Sequence, residues 1–304
     1  MKISIKDTII EGARKVSYNT KFVWLLLASN LAFAFILSTP IYFILTDNLG
    51  SSLLSQRLLH NFDIMWYIQL RSLYENTFGA IPIVIYAVVA VYSLIQTFFL
   101  GGLITIFNTP KKNHFVDFFY GCVKYWFRFT KVLIVSLLFF VAAFIFNDYL
   151  GDFIGWVFKD YDALIYDFIF RSLRYVLLIF LIGIISGFSD YIKTSMVIDE
   201  NNGLFKSIGK VIILLRQNFS KIFSVYLFVA VIGALGAVVY NVVERFIPDY
   251  PHYFLILTFF LQQMLIIFRL LIRMLFCSTE VILYKDLSAE VVSAEVEEQN
   301  LGEL

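Results

Sequence analysis

Six stretches of this chain are too long and too apolar to be at home in water. They cover about 22–46, 79–107, 132–150, 175–197, 222–242 and 254–274. A bilayer core about 30 Å thick takes roughly 20 mostly apolar residues per spanning helix. Inside it, a backbone amide has no water to bond, so each stretch must coil and satisfy its own amides. The sequence therefore predicts an all-α integral membrane fold with six transmembrane helices over residues 1–287. No block of about 100 residues is left for a soluble domain, which excludes a fused soluble enzyme or nucleic-acid-binding module. The composition agrees: 60% of residues are hydrophobic and 15% charged, against about 45–50% and 25% in soluble domains.

Charge sets the topology. Of the 24 lysines and arginines, only Arg57, Arg71, Lys159, Arg171, Arg174 and Arg245 fall on the side of the loops after the odd spans. The rest precede span one, lie between spans two and three or four and five, or flank the end of span six. The positive-inside rule then puts both termini in the cytoplasm, and the simplest home is a bacterial cytoplasmic (inner) membrane. Span one contains the small-x-small triplet Ala32-Phe33-Ala34, but apolar sequence runs on to Leu45. That is longer than a signal-peptide core of about 7–15 residues, so an uncleaved anchor is expected.

A threefold recurrence overlies this pattern. Basic amphipathic segments end in Thr20-Lys21, Thr130-Lys131 and Ser220-Lys221, each running straight into an odd span, and each carries a glycine: Gly12, Gly121 and Gly209. Three parallel hairpin repeats are expected, each introduced by a cytoplasmic amphipathic helix lying along the headgroups or against the ends of the spans. The first two outer loops, about 47–78 and 151–174, are expected to form interfacial helices. The acidic segment 288–304 reads as a mobile or weakly helical cytoplasmic tail.

Polar residues inside spans are costly and often functional. Gln96, Asp190 and Arg269 each lie about 15 residues from the outer end of an even span, roughly 22 Å inward at 1.5 Å per residue. Lys193 follows Asp190 at i+3; Arg273 and Glu280 continue the face of Arg269; Gln262 and Gln263 sit deeper, and Asn30 marks span one. All of these except Asn30, eight residues, form a candidate ligand-binding set. Either Asp190 faces Arg269 or Arg273 across a central cavity, or Asp190 pairs locally with Lys193 while the arginines snorkel to the headgroups. Gly183-xxx-Gly187 and Gly233-xxx-Ala237 read as faces for close helix approach.

His60, His114 and His252 are scattered over different loops, and no metal, cofactor or catalytic motif is present. Cys122 and Cys277 read as small apolar fillers.

The stretch Ser189-Asp190-Tyr191-Ile192-Lys193, Met196-Val197-Ile198-Asp199-Glu200 and Phe205-Lys206-Ser207-Ile208 resembles a group of poorly characterised bacterial polytopic proteins. These are similar to the membrane domain fused to some glycerophosphoryl diester phosphodiesterases. The resemblance implies a six-span helical fold and lipid association. It implies no hydrolase, because a catalytic barrel needs about 250 further residues. The expected function is a non-catalytic membrane component that organises lipids or membrane partners. The alternative is a transporter or lipid facilitator working through the polar set. Expected partners are membrane lipids and other membrane proteins, not nucleic acid.

Overall fold

A computed structural model describes residues 4–50, 63–109, 115–158, 164–200, 203–248 and 253–302, with the side chains of 76, 77, 80, 164 and 290–302 outside that description. Among the described residues every regular element is a helix: α1 (Ile5–Tyr18), α2 (Lys21–Leu49), α3 (Ile64–Leu73), α4 (Glu75–Asn108), α5 (Phe115–Val157), α6 (Leu164–Ile198), α7 (Leu204–Arg245) and α8 (Tyr253–Gly302). Six of them, α2 and α4 to α8, contain segments long and apolar enough to cross a membrane.

The chain divides into two compact units, residues 21–96 and residues 1–20 with 97–304. In the smaller unit, α3 starts where Asp63 accepts hydrogen bonds from the amides of Met65 (2.9 Å) and Trp66 (3.2 Å). That cap satisfies amides with no partner within the helix. The helices α2 and α4 run through Pro40 and Pro82. Asn30 Oδ1 accepts from Tyr92 Oη (3.0 Å) and from Gln96 Nε2 (3.1 Å), so these polar groups pay their desolvation cost to one another.

The larger unit concentrates its core at one end. Phe107, Phe118, Phe129, Val211, Met274, Val281, Leu283 and Leu287 are all buried. By contrast, the most apolar windows of the six candidate spans are at most 22% buried, and that of α6 is 0% buried. A soluble bundle would bury its most apolar faces; here those faces point outward, as a lipid solvent allows. The tight end is built on small residues. A Cβ on Gly102 would stand 2.6 Å from Cys122 Sγ and 2.7 Å from the Phe118 ring, and one on Gly121 would meet Thr105 and, at 3.0 Å, the Gly101 carbonyl oxygen. Gly12 likewise lies under Thr279, and Ser278 Oγ donates to its carbonyl at 3.2 Å.

Two sequence expectations are corrected. The second basic segment is not a separate interfacial helix but the first turns of α5, whereas the first copy forms α1 and the third is set off from its span by a break in α7 at Asn218. A change from amphipathic to apolar sequence does not stop a helix; a cap or a breaker does, and residues 122–150 hold no proline or glycine. The joints that exist fall at asparagines. Asn19 closes α1 with φ −117° and ψ 20°, and Asn218 interrupts α7 with φ −125° and ψ 26°. The second outer loop forms no interfacial helix among its described residues, because α5 extends to Val157 and α6 begins at Leu164. In the first loop, α3 is a helix, and residues 51–62 lie outside the described residues. Of the two readings of the acidic segment, the structure has the helical one: α8 continues through it to Gly302.

Candidate functional site

At the tight end, the last two turns of α6 and the matching stretch of α8 are enclosed on every side. Tyr191 to Val197 and Cys277 to Tyr284 are buried without a break. An amphipathic helix shows one wet face; a stretch buried all round has neighbours on all sides. Its polar groups must therefore find partners inside.

Most do. Lys193 Nζ donates to Asp190 Oδ1 at 2.8 Å; Lys193 is only 8% exposed and Asp190 is half-buried. Ser189 and Ser136 of α5 share a 2.9 Å hydrogen bond, and Ser136 also donates to the Val132 carbonyl. The Tyr284 hydroxyl lies between Ser195 Oγ (3.0 Å) and Asp199 Oδ2 (3.1 Å). Lys210 binds the same Asp199 oxygen at 2.9 Å. Lys221 donates to Asp286 at 2.8 Å across α7 and α8.

Thr194, whose buried Oγ1 has no partner among the described residues, and Glu280 are the exceptions. Glu280 is the ionisable one. It is 5% exposed, and its Oε1 has no hydrogen-bond partner among the described residues. It lies within electrostatic reach of Asp190 and Lys193, and of Tyr191 and Tyr226. Arg273 is half-buried and acts with Glu280, Asp190 and Lys193 on the Cys277 thiol. Two acids and two bases thus gather about one turn of α8. The thiol itself is buried and free.

Of the eight residues singled out from the sequence, four come together: Asp190, Lys193, Arg273 and Glu280. Asp190 takes its local partner, Lys193. Arg269 and Gln262 lie elsewhere, beside the Tyr240 hydroxyl, which donates to Glu244 at 3.0 Å. Both are exposed, as the snorkelling reading has it for Arg269. Gln263 is half-buried. Gln96 belongs to the Asn30 network of the smaller unit.

The sequence reading missed the Ser136–Ser189 bond, the Tyr284–Ser195 contact and the Lys221–Asp286 pair. Only Lys221 carried a signal, as the repeated junction lysine. Asp199 and Glu200, just past the end of α6, are anchors. Lys124 binds Glu200 at 2.9 Å, Tyr125 donates to it at 3.2 Å, and Arg128 donates to the Glu200 carbonyl at 3.0 Å. The Lys124 ammonium holds the exposed Glu200 carboxyl below the usual carboxylate range.

The small-residue faces also differ from expectation. Gly233 and Gly236 do admit close neighbours, Ile272 at 3.3 Å and the Phe268 ring. Gly183 has no atom within 4 Å of where its Cβ would stand, and the nearest to Gly187 is Tyr226 at 3.8 Å. There α6 and α7 enclose a cleft of about 540 Å³. Among the described residues, no group of three or more His, Cys, Asp or Glu is arranged to hold a metal, and the three histidines lie outside those residues.

No protein-family model, curated protein or solved structure matches the chain.

Proposed function

We propose that this is a non-catalytic polytopic protein of a bacterial cytoplasmic membrane, with both termini on the cytoplasmic side, that organises lipids and membrane partners. The observation that carries the reading is the pairing of a closed polar core with open apolar faces. Most polar groups at the closed end of α5, α6 and α8 pair with one another, as Asp190–Lys193, Ser136–Ser189 and Tyr284–Ser195. The apolar windows are left for lipid. A catalytic site needs a nucleophile or base held in reach of a reacting atom; here Ser136, Ser189, Ser195 and Ser278 are hydrogen-bonded to neighbours and the Cys122 and Cys277 thiols are buried. The resemblance to the phosphodiesterase-associated membrane domain supports the same reading.

A second reading, a transporter or lipid facilitator, rests on one observation: the unpartnered oxygen of Glu280 beside Asp190 and Lys193. Reconstitution separates the two. The protein is purified in mild detergent, its retained phospholipid is measured as phosphorus, and it is placed in liposomes loaded with a pH- or anion-sensitive dye. Organisation of lipid predicts retained phospholipid and no flux above empty liposomes. A flux that Asp190→Asn abolishes would establish transport instead.

A further inference from the structure

The smaller unit has a hollow of its own. Where α2, α3 and α4 meet, Ile41, Leu45, Trp66, Tyr67 and Ile81 wall a slot of about 590 Å³, and Arg71 is the one charged residue on its described lining. The depth of the slot follows from the helices that make it. Ile41 and Leu45 lie near the end of one candidate span, Lys21–Leu49, and Ile81 opens the next, Ile81–Asn108. The slot therefore sits at the edge of the hydrocarbon, where a core about 30 Å thick gives way to headgroups. Trp66 and Tyr67 suit that level, because amphipathic rings gather there. Arg71 is exposed and makes no hydrogen bond or ion pair among the described residues. The acids of the same unit do not take it. Asp63 accepts from the amides of Met65 and Trp66 at the other end of α3, and Asp47 and Glu75 form no ion pair with it. By contrast, Arg171 holds Asp167 and Arg174 holds the Tyr175 hydroxyl, each at 2.8 Å.

An apolar slot at this depth cannot stay empty without forfeiting dispersion contacts along its lining. A partner helix does not fit it: a helix about 10 Å across takes roughly 420 Å³ per turn, so the slot would hold little more than one turn. A single hydrocarbon chain suits a hollow of this size. The cation on the lining then fixes what the chain is attached to. A guanidinium is always charged and forks onto phosphate through two parallel N–H bonds, and phosphate is the anion that every glycerophospholipid carries at this level. We propose that the slot between α2, α3 and α4 seats one acyl chain of a glycerophospholipid, with its phosphate on the Arg71 guanidinium. This rests on the lipid-organising reading and names the seat and the group recognised. The headgroup beyond the phosphate is not read, because no other charged side chain is on the described lining.

The test uses the full chain in phosphatidylcholine nanodiscs doped with either of two probes that share one photoactivatable acyl chain. One is phosphatidylglycerol; the other is diacylglycerol, which lacks the phosphate. Labelled peptides are mapped by mass spectrometry. The expected result is labelling on 41–45 and 66–82, about tenfold stronger for the phospholipid, the ratio for one charge-assisted bond. Arg71→Gln brings the two probes to parity while keeping the label in place. Ile41→Trp fills the slot from a residue that is 49% exposed and removes labelling by both probes. Leu45→Trp does the same should the first variant impair folding, which a thermal melt reports. Equal labelling of the wild type by the two probes, a ratio that Arg71→Gln leaves unchanged, label spread evenly over all spans, or undiminished labelling of the filled variants overturns the proposal. So does a dimer that Ile41→Trp dissociates, since it would give the slot to a second copy. Phospholipid phosphorus retained by the wild type through detergent purification reads the broader function separately. Phosphorus above a detergent blank with any of these failures sinks the slot alone; none above the blank sinks the lipid-organising reading.

Discussion

Three glycines, one in each basic segment, give one substitution three different outcomes. In a helix interior, alanine is favoured over glycine by about 1 kcal/mol. Gly209 is exposed, with nothing within 4 Å of a new Cβ, so Gly209→Ala should stabilise by about that amount. At Gly121 the Cβ would press on Thr105 and on the Gly101 carbonyl oxygen at 3.0 Å. Thr105 cannot swing away freely, because its hydroxyl donates to that same carbonyl at 2.8 Å. Overpacking costs about 1–3 kcal/mol and the lost hydrogen bond about 1. Against the helix gain, Gly121→Ala should be destabilised by about 1–3 kcal/mol. Gly12 is intermediate: its closest neighbour is a methyl group, Thr279 Cγ2 at 2.8 Å, and its net change should lie near zero. The assay is thermal unfolding in detergent followed by tryptophan fluorescence, where 1 kcal/mol corresponds to roughly 2–4 °C in a domain of about 200 residues. The expected order of melting temperature is Gly209→Ala, Gly12→Ala, Gly121→Ala. If Gly121→Ala melts at or above Gly209→Ala, the close crossing of α4 and α5 is wrong.

Other consequences are open to measurement. Lys221 and Asp286 form a mostly buried pair, with side chains 22% and 10% exposed. Removing either alone should cost about 1–3 kcal/mol, below the full penalty for a wholly buried pair, and the double variant should cost less than the sum of the two in a double-mutant cycle. Ser189→Ala removes the bond between α5 and α6 but leaves Ser136 bonded to the Val132 carbonyl, so it should cost about 1 kcal/mol or less, and adding Ser136→Ala should cost less than it does in the wild type. Glu200 has a folded-state pKa below its unfolded value. Its stabilising effect is therefore present above the unfolded carboxylate pKa of about 4.3 and is lost as pH falls through the folded value. The melting difference between wild type and Glu200→Gln should accordingly vanish in acid and shrink in high salt.

Much of the fold was legible because hydrocarbon solvent leaves few choices. The six apolar runs marked six helices, and the structure has six that are long and apolar enough. Helix ends were less legible. The amphipathic stretch before Thr130 shows a change of polarity but no breaker, and α5 runs straight through it. Asn218, an inconspicuous residue, is where α7 actually departs from helical geometry. For the site, depth along the even spans singled out Gln96, Asp190 and Arg269, and helical spacing from them added Lys193, Arg273 and Glu280. Neither could separate Asp190, Lys193, Arg273 and Glu280 from Arg269 and Gln262, which lie on the same helix as Glu280. That separation depends on which turn of α8 meets α6, a matter of packing that spacing does not encode. The glycines make the same point: Gly183-xxx-Gly187 and Gly233-xxx-Ala237 look alike in sequence, and only one of them brings helices together.

The central claim is that six helices cross a bilayer with the basic segments and both termini on one face. Single cysteines at Lys6, Lys206 and Ser288, and at Asp63 and Phe246, introduced after removing Cys122 and Cys277, test it by labelling with a membrane-impermeant maleimide before and after lysis. The account predicts that Asp63 and Phe246 label in intact cells and the other three only after lysis. Labelling of Lys6 and Ser288 from opposite faces would contradict it.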